Sequence, residues 1–334
     1  MAWTAQRGRM IGQGLACLLL APAIAWSSAA LWFDGPEQRW LAGLLAGTFA
    51  LGICAALTLL RPFRLALAAV LALFLVVLAW WLNIPPSNEG DWQPDVAQLP
   101  SATIEGDIVT VHNIRSFDYR SETDYTPRWE TRTYDLGKLR GVDMFLSYWG
   151  PTLIAHTIMS WEFADGRHLA VSIETRKKKG QEYSAVLGFF RQYEIYYVVA
   201  DEHDVIGVRT EFRGEQDFLY RLKSPPAIAR AVLLDYFKEI NRLAAKPKWY
   251  NALVHNCTTT IRQHAQDVGV GRALDWRLFA NGRIDELGYE RGQIDTSLPF
   301  AELRRRSDIT AKAKAAYGGP DFSSSIRVGL PGAH

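Results

Sequence analysis

Cysteine is scarce in this chain, and where it is missing says more than how much there is. Of three cysteines, Cys17 and Cys54 lie in uncharged apolar runs, and only Cys257 falls in the polar remainder. That remainder can form no internal disulfide. An excess of charge is missing too: the formal net charge is +2 over 334 residues, which gives no electrostatic footprint for a nucleic-acid partner. An apolar content of 49% excludes a disordered chain. Internal repeats, a Gly-rich phosphate loop and coiled-coil heptads are absent, and each absence removes a class of function.

Charged residues are absent from three whole stretches, Met10–Phe33, 40–60 and 65–84, each long enough to cross a hydrocarbon core as a helix. After about Pro86 the composition is that of a soluble protein. The expected organisation is a three-helix membrane anchor over 1–86, a catalytic domain over 87–285 and a C-terminal extension over 286–334. Arg7, Arg9, Arg61 and Arg64 flank one side of the spans, and Asp34, Glu37, Glu89 and Asp91 the other. The positive-inside rule then puts the N-terminus in the cytoplasm and the main domain in the periplasm of a bacterial inner membrane. Trp32, Trp40, Trp80, Trp81 and Trp92 fit an interfacial belt on the outer side.

Exported to an oxidising compartment, an unpaired thiol is a liability, so Cys257 calls for a chemical role. It follows Asn256, a helix-capping residue, and apolar positions at Ile261, Ala265 and Val268 continue at helical spacing until Gly269. Cys257 then sits in a first turn, where free amides and the positive end of the helix dipole favour a thiolate. A thiol nucleophile needs a base. Residues 152–163 and 168–176 read as a hairpin closed at Ala164-Asp-Gly-Arg167, with His156 near one end and Glu174 near the other. Pairing about that turn brings His156 beside Glu174, in a register that one slipped residue would undo. His255 and His264 are less well placed, and with Cys257 they lack the spacing and the fourth donor of a zinc site. Neither a metal nor a cofactor is expected.

Elsewhere the pattern predicts a strand over 103–111, a loop and short strand over 125–135, and an acidic turn at 201–204 followed by a strand over 205–212. A helix is expected over 224–245, capped by Ser224, and a basic helix over 299–317, with a loose tail at 318–334. The aromatic stretch 183–197 reads either as core or as an acyl-chain groove. The basic run 176–179 reads as a solvated turn or as a contact for lipid phosphate. Together these elements make an α+β domain.

Trp92 with Pro94, Asn113-Ile-Arg-Ser-Phe117, Ala155-His156, Phe163-Ala-Asp-Gly166, Ser172-Ile-Glu-Thr-Arg176, Glu202-His-Asp204 and Tyr250-Asn251 with Asn256-Cys257-Thr258 together resemble the Lnb N-terminal periplasmic domain family. The resemblance covers about residues 90–285. The family's namesake is a bacterial lipoprotein N-acyltransferase, and its domain is similar to circularly permuted papain-like (NlpC/P60-like) enzymes, with histidine before cysteine. That order recurs here as His156 and Cys257. The resemblance implies that Cys257 carries an acyl group as a thioester and that His156 acts as acid and base; Glu174 is the orienting group by hairpin register, and Asn256, Arg176 and Tyr250 are the candidate substrate-binding residues. The chain departs from the namesake in having its spans before the domain rather than after it.

The expected activity is transfer of an acyl chain from a membrane phospholipid to an amine acceptor, a lipoprotein or another envelope amine. The same dyad with water as acceptor would hydrolyse cell-wall amides. A non-catalytic envelope binding protein is the third possibility.

Overall fold

The structure, a computed structural model, describes residues 2–332, with side chains from Met10 onward. Arg7, Arg9 and the last two residues of the expected tail lie outside the described side chains. Two compact units divide the chain, one made of residues 1–86 and 184–193, the other of 87–183 and 194–334.

The first unit holds α1 (Ala2–Phe33), α2 (Arg39–Leu59) and α3 (Phe63–Leu82), three helices long and apolar enough to cross a membrane. Residues 184–193 belong with them. Phe190 packs against Phe33 at 5.0 Å, Arg191 lies over the Trp81 ring at 4.0 Å, and Gln192 donates to Asp34 Oδ1 at 2.6 Å. The aromatic stretch is thus divided: 184–193 is part of the helical unit, and only its last residues enter a strand.

Among the described residues the second unit has ten strands: β1 (Ser101–Glu105), β2 (Ile108–Arg115), β3 (Asp118–Tyr119), β4 (Tyr125–Thr126), β5 (Trp129–Asp135), β6 (Leu139–Tyr148), β7 (His156–Phe163), β8 (His168–Arg176), β9 (Glu194–Ala200) and β10 (Gln216–Arg221). Its main sheet runs β1-β2-β9-β8-β7-β6-β10, with β5 also on β2. All pairings are antiparallel except the single parallel bridge between β2 and β9. The helices are α4 (Glu202–Val205), α5 (Pro226–Ala245), α6 (Cys257–Asp267), α7 (Ile284–Glu290), α8 (Phe300–Ser307), α9 (Thr310–Ala316) and α10 (Phe322–Ser325). The domain is α+β.

Alternation along the central strands assigns the two faces. Phe145, Ile158, Ala170, Val198 and Leu219 point to one side, where Val205, Ile206, Ile309, Ala313, Phe322 and Ile326 close a core over them. The other side takes α5, whose Tyr236 meets Trp161 at 4.9 Å and Tyr197 at 5.8 Å, and α6 beside it.

Several expectations change. Residues 103–111 form two strands, because Gly106 at φ 63 turns the chain between β1 and β2. The stretch 205–212 is helical, ending in a π-helical turn at Val208–Phe212, since its short apolar run fits either period and the core takes Val205, Ile206 and Val208 from a helix. Pro225, not Ser224, precedes α5 at its N-cap. The basic helix is broken at Asp308 into α8 and α9. Residues 318–332 are no loose tail, for Phe322 and Ile326 are core residues and Arg327 is held by two carboxylates. Trp92 is buried in the second unit beneath Arg176, at 4.2 Å from the guanidinium, and so belongs to no interfacial belt.

Candidate active site

Asn256 sets the site's first geometry. Its Oδ1 accepts from the Thr259 N–H at 3.0 Å while Thr259 Oγ1 accepts from the Asn256 N–H at 3.0 Å, a reciprocal capping box that starts α6 at Cys257. The first amides of that helix have no intrahelical acceptor. Cys257 is 8% exposed.

The second element is the β7–β8 hairpin. Its register pairs Ile158 with Ser172, and continuing it sets His156 opposite Glu174. His156, Ser172 and Glu174 therefore share a face. His156 Nε2 lies 2.6 Å from Ser172 Oγ and 3.1 Å from Glu174 Oε1, and Ser172 Oγ donates to the same Oε1 at 2.6 Å. With Nε2 engaged, Nδ1 is the ring nitrogen left to face sulfur, and His156 and Cys257 are close enough that each shifts the protonation of the other. The contact is made around the end of β7, where His156 is the first residue, while α6 covers the opposite face. Expected strand residues 152–155 are irregular instead. Gly282 N–H donates to Leu153 O at 2.9 Å, and a Cβ at position 282 would fall 2.1 Å from Thr152 O, so the approach requires glycine.

Electrostatics favour an ion pair. Burial disfavours charge on His156, but the Glu174 carboxylate outweighs it and, with the sulfur, pushes the imidazolium up to about 9, against the opposing Arg209. Burial likewise works against the Cys257 thiolate, yet His156, the Thr157 N–H and the Thr258 hydroxyl bring the thiol below its ordinary value. For Glu174 burial is again outweighed, by His156 and then Arg209, and its carboxyl is held well below the usual range. These shifts all favour thiolate beside imidazolium beside carboxylate.

Sequence reasoning missed what stands behind Glu174. Arg209, from the π-helical turn, donates to Glu174 Oε1 at 2.7 Å and to Glu215 Oε2 at 3.2 Å, and Ser147 Oγ donates to Glu215 at 2.5 Å. Ser147 pairs directly with His156 across β6 and β7. No spacing in the sequence joins 147, 209 and 215 to 156. Asn281 is a second omission: Nδ2 donates to Thr258 Oγ1 at 2.6 Å and reaches Cys257 Sγ at 3.9 Å, while Oδ1 accepts from the Ala155 N–H at 2.9 Å.

The expected substrate-binding residues are placed differently from one another. Tyr250 is by the thiol, bonded to the Tyr183 side chain, and burial raises its hydroxyl pKa well above the ordinary value. The Asn256 side chain is occupied in capping, with Nδ2 on Ala252 O at 2.9 Å. Arg176 is 2% exposed and donates to the carbonyls of Val96 at 3.0 Å and Ala97 at 2.9 Å, which pins the 3-10 turn at Pro94–Val96 that leads into the domain. In Glu202-His-Asp204 the acids are structural: Asp204 holds Arg115 at 2.7 Å, and Glu202 holds Arg327 at 2.6 Å. His264 is a core histidine between Tyr197 Oη at 2.7 Å and Asp235 at 2.8 Å.

Two features lie away from the thiol. Asp143, His168 and Glu202 offer donor atoms within 4.8 Å of one another, but Arg327 already bonds both carboxylates. A polar cleft of about 350 Å³ lined by Arg132, His168, Asp201 and Ser323 lies at the turn end of the hairpin, opposite His156.

Neither the curated proteins nor the solved structures give a significant match to this chain. Residues 125–282, the stretch that holds His156, Glu174 and Cys257, match the model of the Lnb N-terminal periplasmic domain family, the family that the motifs resemble.

Proposed function

We propose that this protein is a membrane-anchored thiol acyltransferase of permuted papain-like type, acting on the periplasmic side of a bacterial inner membrane. The observation that carries the reading is the electrostatic coupling of His156 to Cys257 at the start of α6, with Glu174 Oε1 3.1 Å from the imidazole Nε2. In the first half-reaction the Cys257 thiolate attacks the carbonyl carbon of a phospholipid ester. The C–O bond breaks, the departing lysophospholipid alkoxide takes the His156 proton, and Cys257 is left as a thioester. In the second, an amine, on a lipoprotein or another envelope molecule, attacks the thioester and gives its proton to the now neutral His156. The amide leaves, and thiolate and imidazolium are restored. The developing oxyanion is met by the Cys257 N–H, one of the free amides of the first helical turn.

The test is intact-mass analysis of protein purified from membranes, before and after hydroxylamine. A fatty-acyl increment on Cys257 that hydroxylamine removes, and that Cys257→Ser lacks, is expected. No increment, together with equal transfer to an acceptor peptide by wild type and Cys257→Ser, would remove the thiol mechanism; release of cell-wall fragments instead would point to hydrolysis. The orientation follows from the arginine-bearing flanks. A reporter fused at the C-terminus should behave as periplasmic and one after Leu60 as cytoplasmic; the reverse pattern would overturn the compartment.

A further inference from the structure

Three loops surround Cys257 and His156, and their tips are apolar. Residues 149–155 lead into His156 and are tied to the third loop through Gly282 N–H on Leu153 O at 2.9 Å. Residues 250–256 lead into Cys257, with the amides of Leu253 and Val254 pinned by Asn251 Oδ1 at 3.0 and 3.1 Å. Residues 271–283 include Asn281, whose Nδ2 points at the sulfur from 3.9 Å. On these loops Leu153, Ile154, Leu253, Val254, Trp276 and Phe279 are 50–56% exposed. Single exposed apolar residues are ordinary, but six from three loops around one nucleophile form a patch of the kind that marks an interaction surface.

Charge narrows the partner. The first two loops contain no Asp, Glu, Lys or Arg, and the one acid of the third, Asp275, is held by Arg277 at 3.0 Å. Arg272 and Arg283 are exposed on the same loop, and Arg283 lies 5.8 Å from the Trp276 ring while pairing with Glu286. Aliphatic tips, a tryptophan and arginines without a free acid are the composition of a surface that settles at the headgroup level of a bilayer. The chain brings its own bilayer, through α1, α2 and α3.

We propose that this rim docks on the lipid surface and seats the Cys257 mouth at the headgroup level, so that an ester-linked acyl chain reaches the thiol without leaving the membrane. The docking takes its purpose from the acyl-transfer reading, but its geometry stands without it.

The full chain with Cys17→Ala, Cys54→Ala and Cys257→Ser would carry one nitroxide-labelled cysteine, at Val254→Cys, Trp276→Cys or, on the distant hairpin turn, Asp165→Cys. In vesicles of phosphatidylglycerol and phosphatidylethanolamine, collision with oxygen relative to a water-soluble nickel chelate should be several-fold higher at 254 and 276 than at 165. Ratios at 254 and 276 equal to that at 165 would overturn the proposal. In the otherwise native chain, Val254→Asp should lower transfer from vesicle phospholipid roughly tenfold, the loss of one inserted apolar contact. It should leave unchanged both transfer from a monomeric short-chain phospholipid and the alkylation rate of Cys257. Equal loss on both donors, or slower alkylation, would show damage to the site and reject the docking. Lipid-shielded labels, together with a native chain that transfers no acyl group, would uphold the docking and sink the acyltransferase reading; nickel-accessible labels, together with a native chain that does transfer, would do the reverse.

Discussion

One face of the central sheet carries two buried charged clusters, with an apolar core between them. The first holds His156, Ser172, Glu174, Arg209 and Glu215; the second, about 13 Å along β6 from Ser147 to Asp143 at the usual rise, holds Asp143, Ser160, Glu202, Arg221 and Arg327. Their ingredients are nearly the same, carboxylates matched with guanidinium groups and tied down by serines. The second is closed. Arg327 donates to Asp143 at 2.7 Å and to Glu202 at 2.6 Å, and Ser160 Oγ bonds Glu202 at 2.6 Å. Burial opposes charge on Glu202, but Arg327 and then His168 outweigh it and take the carboxyl to about 2. Glu202 is thereby kept ionised at neutral pH.

The first cluster differs in what its imidazole meets: His156 stands between Glu174 and the Cys257 thiol, whereas His168 of the second cluster stands beside carboxylates that guanidinium groups already hold. The charge on Glu174 then no longer ends in a permanent cation alone. It is shared between Arg209 and a group that can lose its proton, and that group touches a nucleophile. What separates a structural ion cluster from a reactive one here is the thiol beside the imidazole: the second cluster also has a histidine at a strand end, His168 at the start of β8, but no nucleophile next to it.

Removing Arg327 should break the closed cluster with the largest effect on stability. Arg327→Met strands the buried Glu202 carboxylate and leaves Asp143 with Arg221 alone, and should cost roughly 3–5 kcal/mol in denaturant unfolding. The alkylation rate of Cys257 in the folded protein should not change. A mild loss of stability, or a changed thiol, would mean that the clusters are not independent. Since Glu202 is depressed in the folded state, its stabilising share is present above the carboxyl's ordinary value of about 4.3 and is lost as pH falls toward about 2.

Glu174→Gln sharpens the other side and should act on pH more than on fold. Without the carboxylate the imidazolium loses its strongest support, so its titration should move down from about 9 and the alkaline limb of turnover should move with it. The thiol should rise, because it is then paired with a less persistent cation. Turnover profiles across pH 5–10 check both directions; an unmoved alkaline limb would take Glu174 out of the site.

Legibility in the sequence followed the range of each interaction. The Asn256 cap, the helix after Cys257 and the hairpin turn at Asp165-Gly166 are local, and each is written within a few residues. His156 beside Glu174 was readable because one turn fixes one register. Arg209, Glu215 and Asn281 were not readable, because they reach the site from a π-helical turn, a loop and a segment that only the packed sheet brings near. The residues from 318 on misled for a related reason: they are polar and rich in glycine and serine, as a tail is, but two apolar side chains and one arginine decide their place, and their partners lie far back in the chain. Arg176 shows another limit: no local signal says that its donors go to the carbonyls of Val96 and Ala97, some 80 residues back.

The central claim is that Cys257 stands as a thiolate against a protonated His156. It is tested most directly by the rate of iodoacetamide alkylation at Cys257 as a function of pH, read by mass in a Cys17→Ala, Cys54→Ala chain. The thiol is lowered by His156 and the imidazolium persists to about 9, so alkylation should already be fast below neutral pH, and His156→Ala should move its rise to or above the ordinary thiol value of about 8.5. A wild-type rate that rises only near that ordinary value, and is the same in His156→Ala, would contradict the ion pair and the mechanism built on it.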